Sequence, residues 1–276
     1  MRCAADPQYD PDPAMEDLTM LYRPLFWTAY WCEDWLFASK YRGGATFILI
    51  SSASSKTAFS LAYLIRKRIN NGEVKASTKI IGLTSRKNVA FTNGLNLYHE
   101  VLSYDTYAGS PLLYGNATER WIYVDVASNE NLNRNLFAHF STPHTGRLAA
   151  CIGLGITNVS PASGQSKPLD WSENSATSLT SVLQEGDGSP QKQHFFMPEW
   201  LEIRRREQSP AELAAKLNKA WKELLRDGVG WVKMEKCYGV EGVQGAYEKL
   251  VRDGVGPEVG LIWSLWSWES QLKSRL

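Results

Sequence analysis

Ser51, Ser52, Ser54 and Ser55, followed at once by Lys56 and Thr57, put five hydroxyls and one ammonium into seven positions broken only by Ala53. Such a cluster donates hydrogen bonds and carries one positive charge, which is the chemistry of an anion cradle. Its flanks sharpen that reading. "ATFILIS" before it has the density of a buried strand, and "SKTAFSLAYLIRKRI" after it carries an apolar stripe at Ala58, Leu61, Ala62 and Ile65 at helical spacing. At a strand-to-helix junction the unpaired N–H groups and the positive end of the helix dipole face the loop, and phosphate binds there. Glycines ordinarily let backbone approach a pyrophosphate closely. Here serines and an alanine stand in their places, with hydroxyls as the donors. The same residues also suit a plain cap and turn, so the junction alone leaves both readings open.

A second cluster lies one strand later. "IIGLTSRKN" ends on Thr84, Ser85, Arg86 and Lys87 with no acid among them. A dinucleotide fold reads the adenosine ribose at this point, with a carboxylate for NAD and a basic group for the 2′-phosphate of NADP. Two hydroxyls backed by a guanidinium and an ammonium select NADP(H). An exposed basic turn is the simpler reading of these four residues taken by themselves. A P-loop is the rival for the first cluster, since Lys56 and Thr57 occupy its Lys-[Ser/Thr] places. That motif needs glycines where Ile50 and Ser55 stand, and Asp125 is the sole candidate for its metal-binding acid.

The remaining chemistry-bearing residues are dispersed. His99, His139, His144 and His194 read as structural, although His144 and His194 could face a cleft. Cys3, Cys32, Cys151 and Cys237 show no CxxC spacing, which predicts reduced thiols and no metal site. The triplet Arg204 to Arg206 flanks an apolar stretch and reads as a solvated face. A net charge of +1 argues against nucleic-acid binding. No apolar run reaches the roughly 18 residues of a membrane span and no signal sequence is visible, so the expectation is a cytoplasmic protein acting on a small-molecule substrate.

The elements that must position these clusters alternate. Strand and helix signals succeed one another from "ATFILIS" through "RLAACIGLGI", predicting an α/β fold with a doubly wound parallel sheet of at least five strands over residues 45–156 and helices on both faces. A buried helix is expected to start just after Pro24, and Pro- and Asp-rich residues 1–22 read as an extended lead-in. Residues 23–207 form the dinucleotide-binding unit, with a long polar loop at 157–193. Residues 208–276 form a helix, capped by Ser209 and stopped by Gly228, and then a strand-helix-strand.

Taken in order, "RPLFWTAYWCEDWL", "ILISSASSKTAFSLAYLI", "KIIGLTSRKNVAFTNGLNLYHEVLSYD", "WIYVDVAS" and "LAACIGLG" resemble the medium-chain dehydrogenase/reductases. The nearest branch is zinc-independent and quinone-reductase-like, especially fungal-type members without an assigned reaction that share "SSASSKTA". The resemblance covers most of the chain from Arg23, and it implies a Rossmann domain with NADP(H) as cofactor. It places Ser52, Ala53, Ser54, Ser55, Lys56 and Thr57 at the pyrophosphate, and Thr84, Ser85, Arg86 and Lys87 at the 2′-phosphate. It sets Tyr104 near the adenosine phosphate, Thr28 near the cofactor, and Val126, Ala127, Gly153 and Leu154 along the nicotinamide half, with Phe195 and Phe196 in the segment that covers the nicotinamide. Two departures stand out. The glycine-rich turn is absent, and most of the barrel-like catalytic domain that precedes the nucleotide-binding domain in relatives is missing, with only remnants at the termini.

The expected reaction is hydride transfer from NADPH to an activated carbonyl, enone or quinone. The alternative is a nucleotide-binding or degenerate non-redox protein, such as an isomerase, cyclase or regulatory module, that keeps the fold. No residue is assigned as catalytic. The closing strand "GLIWSLW" and Trp27, Trp31, Trp35, Trp263, Trp266 and Trp268 point to a bare aromatic edge and a homo-oligomer through the C-terminal strand.

Overall fold

The computed structural model describes residues 13–115, 118–154 and 192–266. Six strands, β1 (Phe47–Ile50), β2 (Lys79–Thr84), β3 (Glu100–Ser103), β4 (Arg120–Asp125), β5 (Arg147–Gly153) and β6 (Lys192–His194), form one parallel sheet in the order β3-β2-β1-β4-β5-β6. Strand order reverses between β1 and β4, where a doubly wound sheet opens its ligand crevice. The expected fold class is the one observed.

Alternate residues face opposite layers, as strand geometry requires. Ile48, Ile50, Ile80, Ile122, Val124 and Ile152 bury against α1 (Pro13–Ala38), α3 (Lys56–Asn70) and α7 (Pro210–Asp227). Leu49, Ile81, Leu83, Tyr123 and Cys151 bury on the other side, against α5 (Glu130–Phe140). Apolar residues on both faces are what a doubly covered parallel sheet demands.

The helix expected after Pro24 is longer than expected. α1 starts at Pro13 and runs through Pro24, so residues 13–22 are helical and not extended. Leu18, Tyr22, Phe26 and Ala29 recur at helical spacing and are all buried, and this stripe carries the helix across the proline. Pro24 and Met20, the residue whose carbonyl loses its helical donor, both lie on the exposed side of the helix. Phe26 meets the Trp221 ring of α7 at 5.3 Å. Because α7 packs into the same core as α1 and α3, packing shows no break at the expected boundary between residues 207 and 208.

Buried charges fix the angles of these helices. Arg68 of α3 donates from Nε to both Glu33 carboxylate oxygens, at 2.7 and 2.8 Å, and the Tyr41 hydroxyl donates to the same carboxylate at 2.5 Å. Tyr41 reaches it because α2 (Lys40–Gly44) is a left-handed turn, with φ between 49° and 94° at every residue. Arg204 of α6 (Met197–Glu207) pairs with Asp34 at 2.8 Å, and Trp200 donates to Asp34 at the same distance. Arg204 therefore ties α6 to α1. Arg205 and Arg206 keep the solvated position expected of the whole triplet.

The chain closes with β7 (Lys233–Tyr238), α8 (Gly239–Asp253) and β8 (Val259–Ser264), a strand-helix-strand whose two strands pair in parallel as a separate sheet. Most of the expected polar loop, with Trp268 and Cys3, lies outside the described residues, and its last two positions open β6. Among the described residues no helix is long and apolar enough to cross a membrane. Phe26→Ala should cost about 3–5 kcal/mol by opening a cavity between α1 and α7. The check is a lower urea midpoint with an unchanged denaturant slope.

Candidate functional site

The serine turn is shaped by its neighbours. Ser52 holds φ at 51°, the left-handed conformation for which a glycine would be the ordinary choice. Its N–H donates to the Tyr104 hydroxyl at 2.8 Å, which anchors the strained residue to the end of β3. Ala53 is fully buried. Its N–H donates to the Leu83 carbonyl at 2.9 Å, and its carbonyl accepts from the Tyr98 hydroxyl at 2.8 Å. A Cβ at position 82 would lie 2.8 Å from the Ala53 Cβ and 3.1 Å from the Tyr98 ring. The close approach that needs glycine therefore falls on β2, at Gly82, and the turn itself tolerates side chains. Ser55 caps α3 by accepting from the Ala58 N–H at 3.3 Å.

Ser54 is 8% exposed and accepts two hydrogen bonds, from Thr84 Oγ1 and Asn88 Nδ2, each at 3.1 Å. With both lone pairs engaged, its own proton is left to donate elsewhere. Thr84 differs from expectation: it is buried and its hydroxyl points inward to Ser54, so it is no free donor to a ligand. The Ser85 hydroxyl is buried with no partner among the described residues, an incomplete arrangement for a polar group. Arg86 is 76% exposed, with Nε 3.4 Å from an Asp105 carboxylate oxygen.

A cleft of about 910 Å³ opens over the carboxyl ends of the strands. It gathers Thr28 from α1, Ser54, Ser55, Lys56 and Thr57 from the turn, Lys87 after β2, Val126 after β4 and Leu154 after β5. Of the other expected residues, Ser52, Ala53, Thr84, Ser85, Arg86, Tyr104, Ala127 and Gly153 stay outside its lining. The Thr28 hydroxyl bonds back to the Pro24 carbonyl at 3.3 Å within α1. Lys56 is drawn aside: its ammonium donates to the carbonyls of Pro257 and Val259 at 3.2 and 3.0 Å. Burial lowers its pKa, and the Glu258 carboxylate opposes that shift. Asp253, Val255, Gly256 and Glu258 complete the far wall, which no motif in the sequence announced.

Asp125, weighed above only as a metal ligand, is instead a junction. It is fully buried at the end of β4 and accepts from Ser128 N–H at 2.9 Å, Asn133 Nδ2 at 2.7 Å and Lys192 Nζ at 2.8 Å, with the Ser51 hydroxyl at 3.4 Å. It thereby joins the ends of β1, β4 and β6 to α5. Its only sequence signal was an acid closing a strand. Burial pushes the neighbouring Cys151 thiol up to about 12 against the opposing pull of Lys192, so this cysteine stays protonated and unreactive at neutral pH. His99 accepts from the Ile80 N–H at 2.9 Å, and burial with Arg66 and Lys79 nearby lowers its pKa, a structural role. Among the described residues no group of three or more His, Cys, Asp or Glu side chains could hold a metal ion.

Residues 1–256 match the family described as "Protein of unknown function (DUF2855)". No curated protein matches the chain. Among solved structures, CurA from Vibrio vulnificus in complex with NADPH shares the fold at a TM-score of 0.52 and 11% identity, over 93% of this chain and 67% of that one. E. coli K-12 YhdH with bound NADPH aligns at a TM-score of 0.41 and 13% identity, over 86% of this chain. Bacillus subtilis yhfP with NAD bound aligns at 0.43 and 13%, over 90% of this chain. The chain spans 61% of the length of YhdH and 63% of yhfP.

Gly82→Ala should destabilise the fold by roughly 1–3 kcal/mol through overpacking against Ala53 and Tyr98. Thermal unfolding monitored by tryptophan fluorescence measures the loss. An unchanged midpoint would mean that the turn is free to shift away from β2.

Proposed function

We propose that this chain, which belongs to the DUF2855 family, is an NADP(H)-dependent oxidoreductase that reduces an activated carbonyl, enone or quinone. The observation that carries the reading is the cleft at the strand-order reversal, where the turn at residues 54–57, Lys87, Val126 and Leu154 converge. The NADPH held by CurA, which shares this fold, supports it.

The residues present fit such a group. The outward proton of Ser54 and the first N–H groups of α3 suit a pyrophosphate. Lys87 in the cleft lining, with the exposed Arg86 guanidinium beside it, suits a 2′-phosphate. Bound in the cleft, NADPH supplies the hydride. Val126 and Leu154 give the inner end of the cleft apolar walls that exclude water from the transfer, and Thr28 offers a hydroxyl at that wall. No histidine or tyrosine lines the cleft among the described residues, and this favours the second reading, a nucleotide-binding protein without redox turnover.

Steady-state oxidation of NADPH with simple quinones and enones separates the two, since turnover with any of them is expected from a reductase and none from a binding module. Arg86→Ala and Lys87→Ala should each weaken NADPH binding by roughly 1.5–3 kcal/mol, about ten- to a hundredfold in Kd, and leave NADH almost unaffected. Equal losses for both nucleotides would remove these residues from the 2′-phosphate.

Self-association through the C-terminal unit belongs to the same proposal. The β7–β8 pair has no further strand beside it among the described residues, and Val240, Tyr247 and Trp266 are 67%, 48% and 68% exposed. A second copy pairing edge to edge would cover both features. Sedimentation equilibrium should show a concentration-dependent dimer that Trp266→Ser weakens, and a monomer across the micromolar range would contradict it.

A further inference from the structure

The wall of the cleft opposite the serine turn has the wrong charge for its proposed occupant. Residues 253–259 bring the Asp253 and Glu258 carboxylates to the same cleft as the first turn of α3. The loop also supplies the two carbonyls, of Pro257 and Val259, that engage the Lys56 ammonium. An ammonium has three N–H donors, and two of them are committed here across more than 200 residues of sequence. A phosphate arriving at the α3 N-terminus in this arrangement meets the Glu258 carboxylate, two carbonyl dipoles and a lysine already engaged, while Asp253 is paired with Arg252. The loop and the anion are therefore alternatives.

The unit that carries the loop is lightly attached. The chain is anchored up to Trp231, whose ring packs on Phe59 and Tyr63, and to Val232, which is buried in the main core. Beyond that point α8 buries no side chain at all. Among the contacts that hold the unit are Met234 packing on the main core, the Lys236–Asp17 ion pair, Gly260 lying against Leu21, and Lys56. Gly254 sits at φ 71°, the left-handed backbone that lets the loop leave α8 abruptly.

We propose that residues 254–259 form a latch. The Pro257 and Val259 carbonyls compete with the phosphates of the nucleotide for Lys56, so that nucleotide binding frees the β7–α8–β8 unit and widens the cleft for substrate. The inference rests on the NADP(H) reading of the cleft and adds to it a regulated entrance. It differs from a lid that closes over a bound cofactor, because here the phosphates displace the loop instead of drawing it in.

Hydrogen–deuterium exchange on the full chain tests it, with NADP+ and inorganic pyrophosphate as probes. In the wild type, saturating NADP+ should speed exchange of amides 233–264 by roughly tenfold while slowing those of residues 55–60. Lys56→Met, which keeps length and loses the ammonium, should show the fast exchange without ligand and no further change with it. Release by pyrophosphate without any NADP+ binding would keep the latch and sink the nucleotide reading. Exchange of 233–264 that is unchanged or slower with both probes bound, or binding of neither, overturns the latch. So does Lys56→Met exchanging like the wild type. Should Lys56→Met fail to fold, the wild-type response to the two probes decides the matter by itself.

Discussion

Gly82 leaves on β2 the space in which the Ala53 methyl rests, and the carboxyl end of the sheet is organised around that contact. With the turn drawn onto β2, Ser52 is forced into a left-handed backbone, and Tyr104 and Tyr98 hold the turn there through its N–H and carbonyl. Ser54 is then set against Thr84 and Asn88, which occupy its lone pairs. A glycine-rich turn reaches a phosphate with bare backbone. Here a hydroxyl whose lone pairs its neighbours occupy stands in the place of such a glycine.

Buried charge does similar positioning elsewhere. Glu33 with Arg68, Asp34 with Arg204 and Asp125 with Lys192 each join elements far apart in sequence. Removing one partner of such a pair leaves an uncompensated buried charge, so the pairs specify geometry even where their net contribution to stability is small. Asp125 matters most to the site, since it ties the end of β4, from which Val126 enters the cleft, to β6 and α5. The cleft wall on that side is consequently rigid. The opposite wall is carried by a unit whose helix has no buried side chain.

The sheet was legible in the sequence because each strand is a dense apolar run between turn residues, and α7 because Ser209, Pro210 and Gly228 mark both its ends. The start of α1 was obscured by Pro24, although Leu18, Tyr22 and Phe26 already carried the helical spacing on its far side. Local pattern placed eight of the sixteen expected cofactor residues in one cleft, because residues at the ends of successive parallel strands converge whatever their side chains. It could not foresee which way Thr84 faces, since that depends on β2 register against a turn one strand away. Nor could it foresee the engagement of Lys56, a contact made only when the loop at residues 257–259 returns to the start of α3.

The central claim is that the serine turn and the basic residues after β2 hold a nicotinamide dinucleotide phosphate. Energy transfer from tryptophan to reduced nicotinamide, followed while the full chain is titrated in parallel with NADPH and NADH, tests it most directly. Saturable transfer with NADPH and markedly weaker binding of NADH are expected. Saturation at equal concentrations of both nucleotides, or with neither, would contradict it.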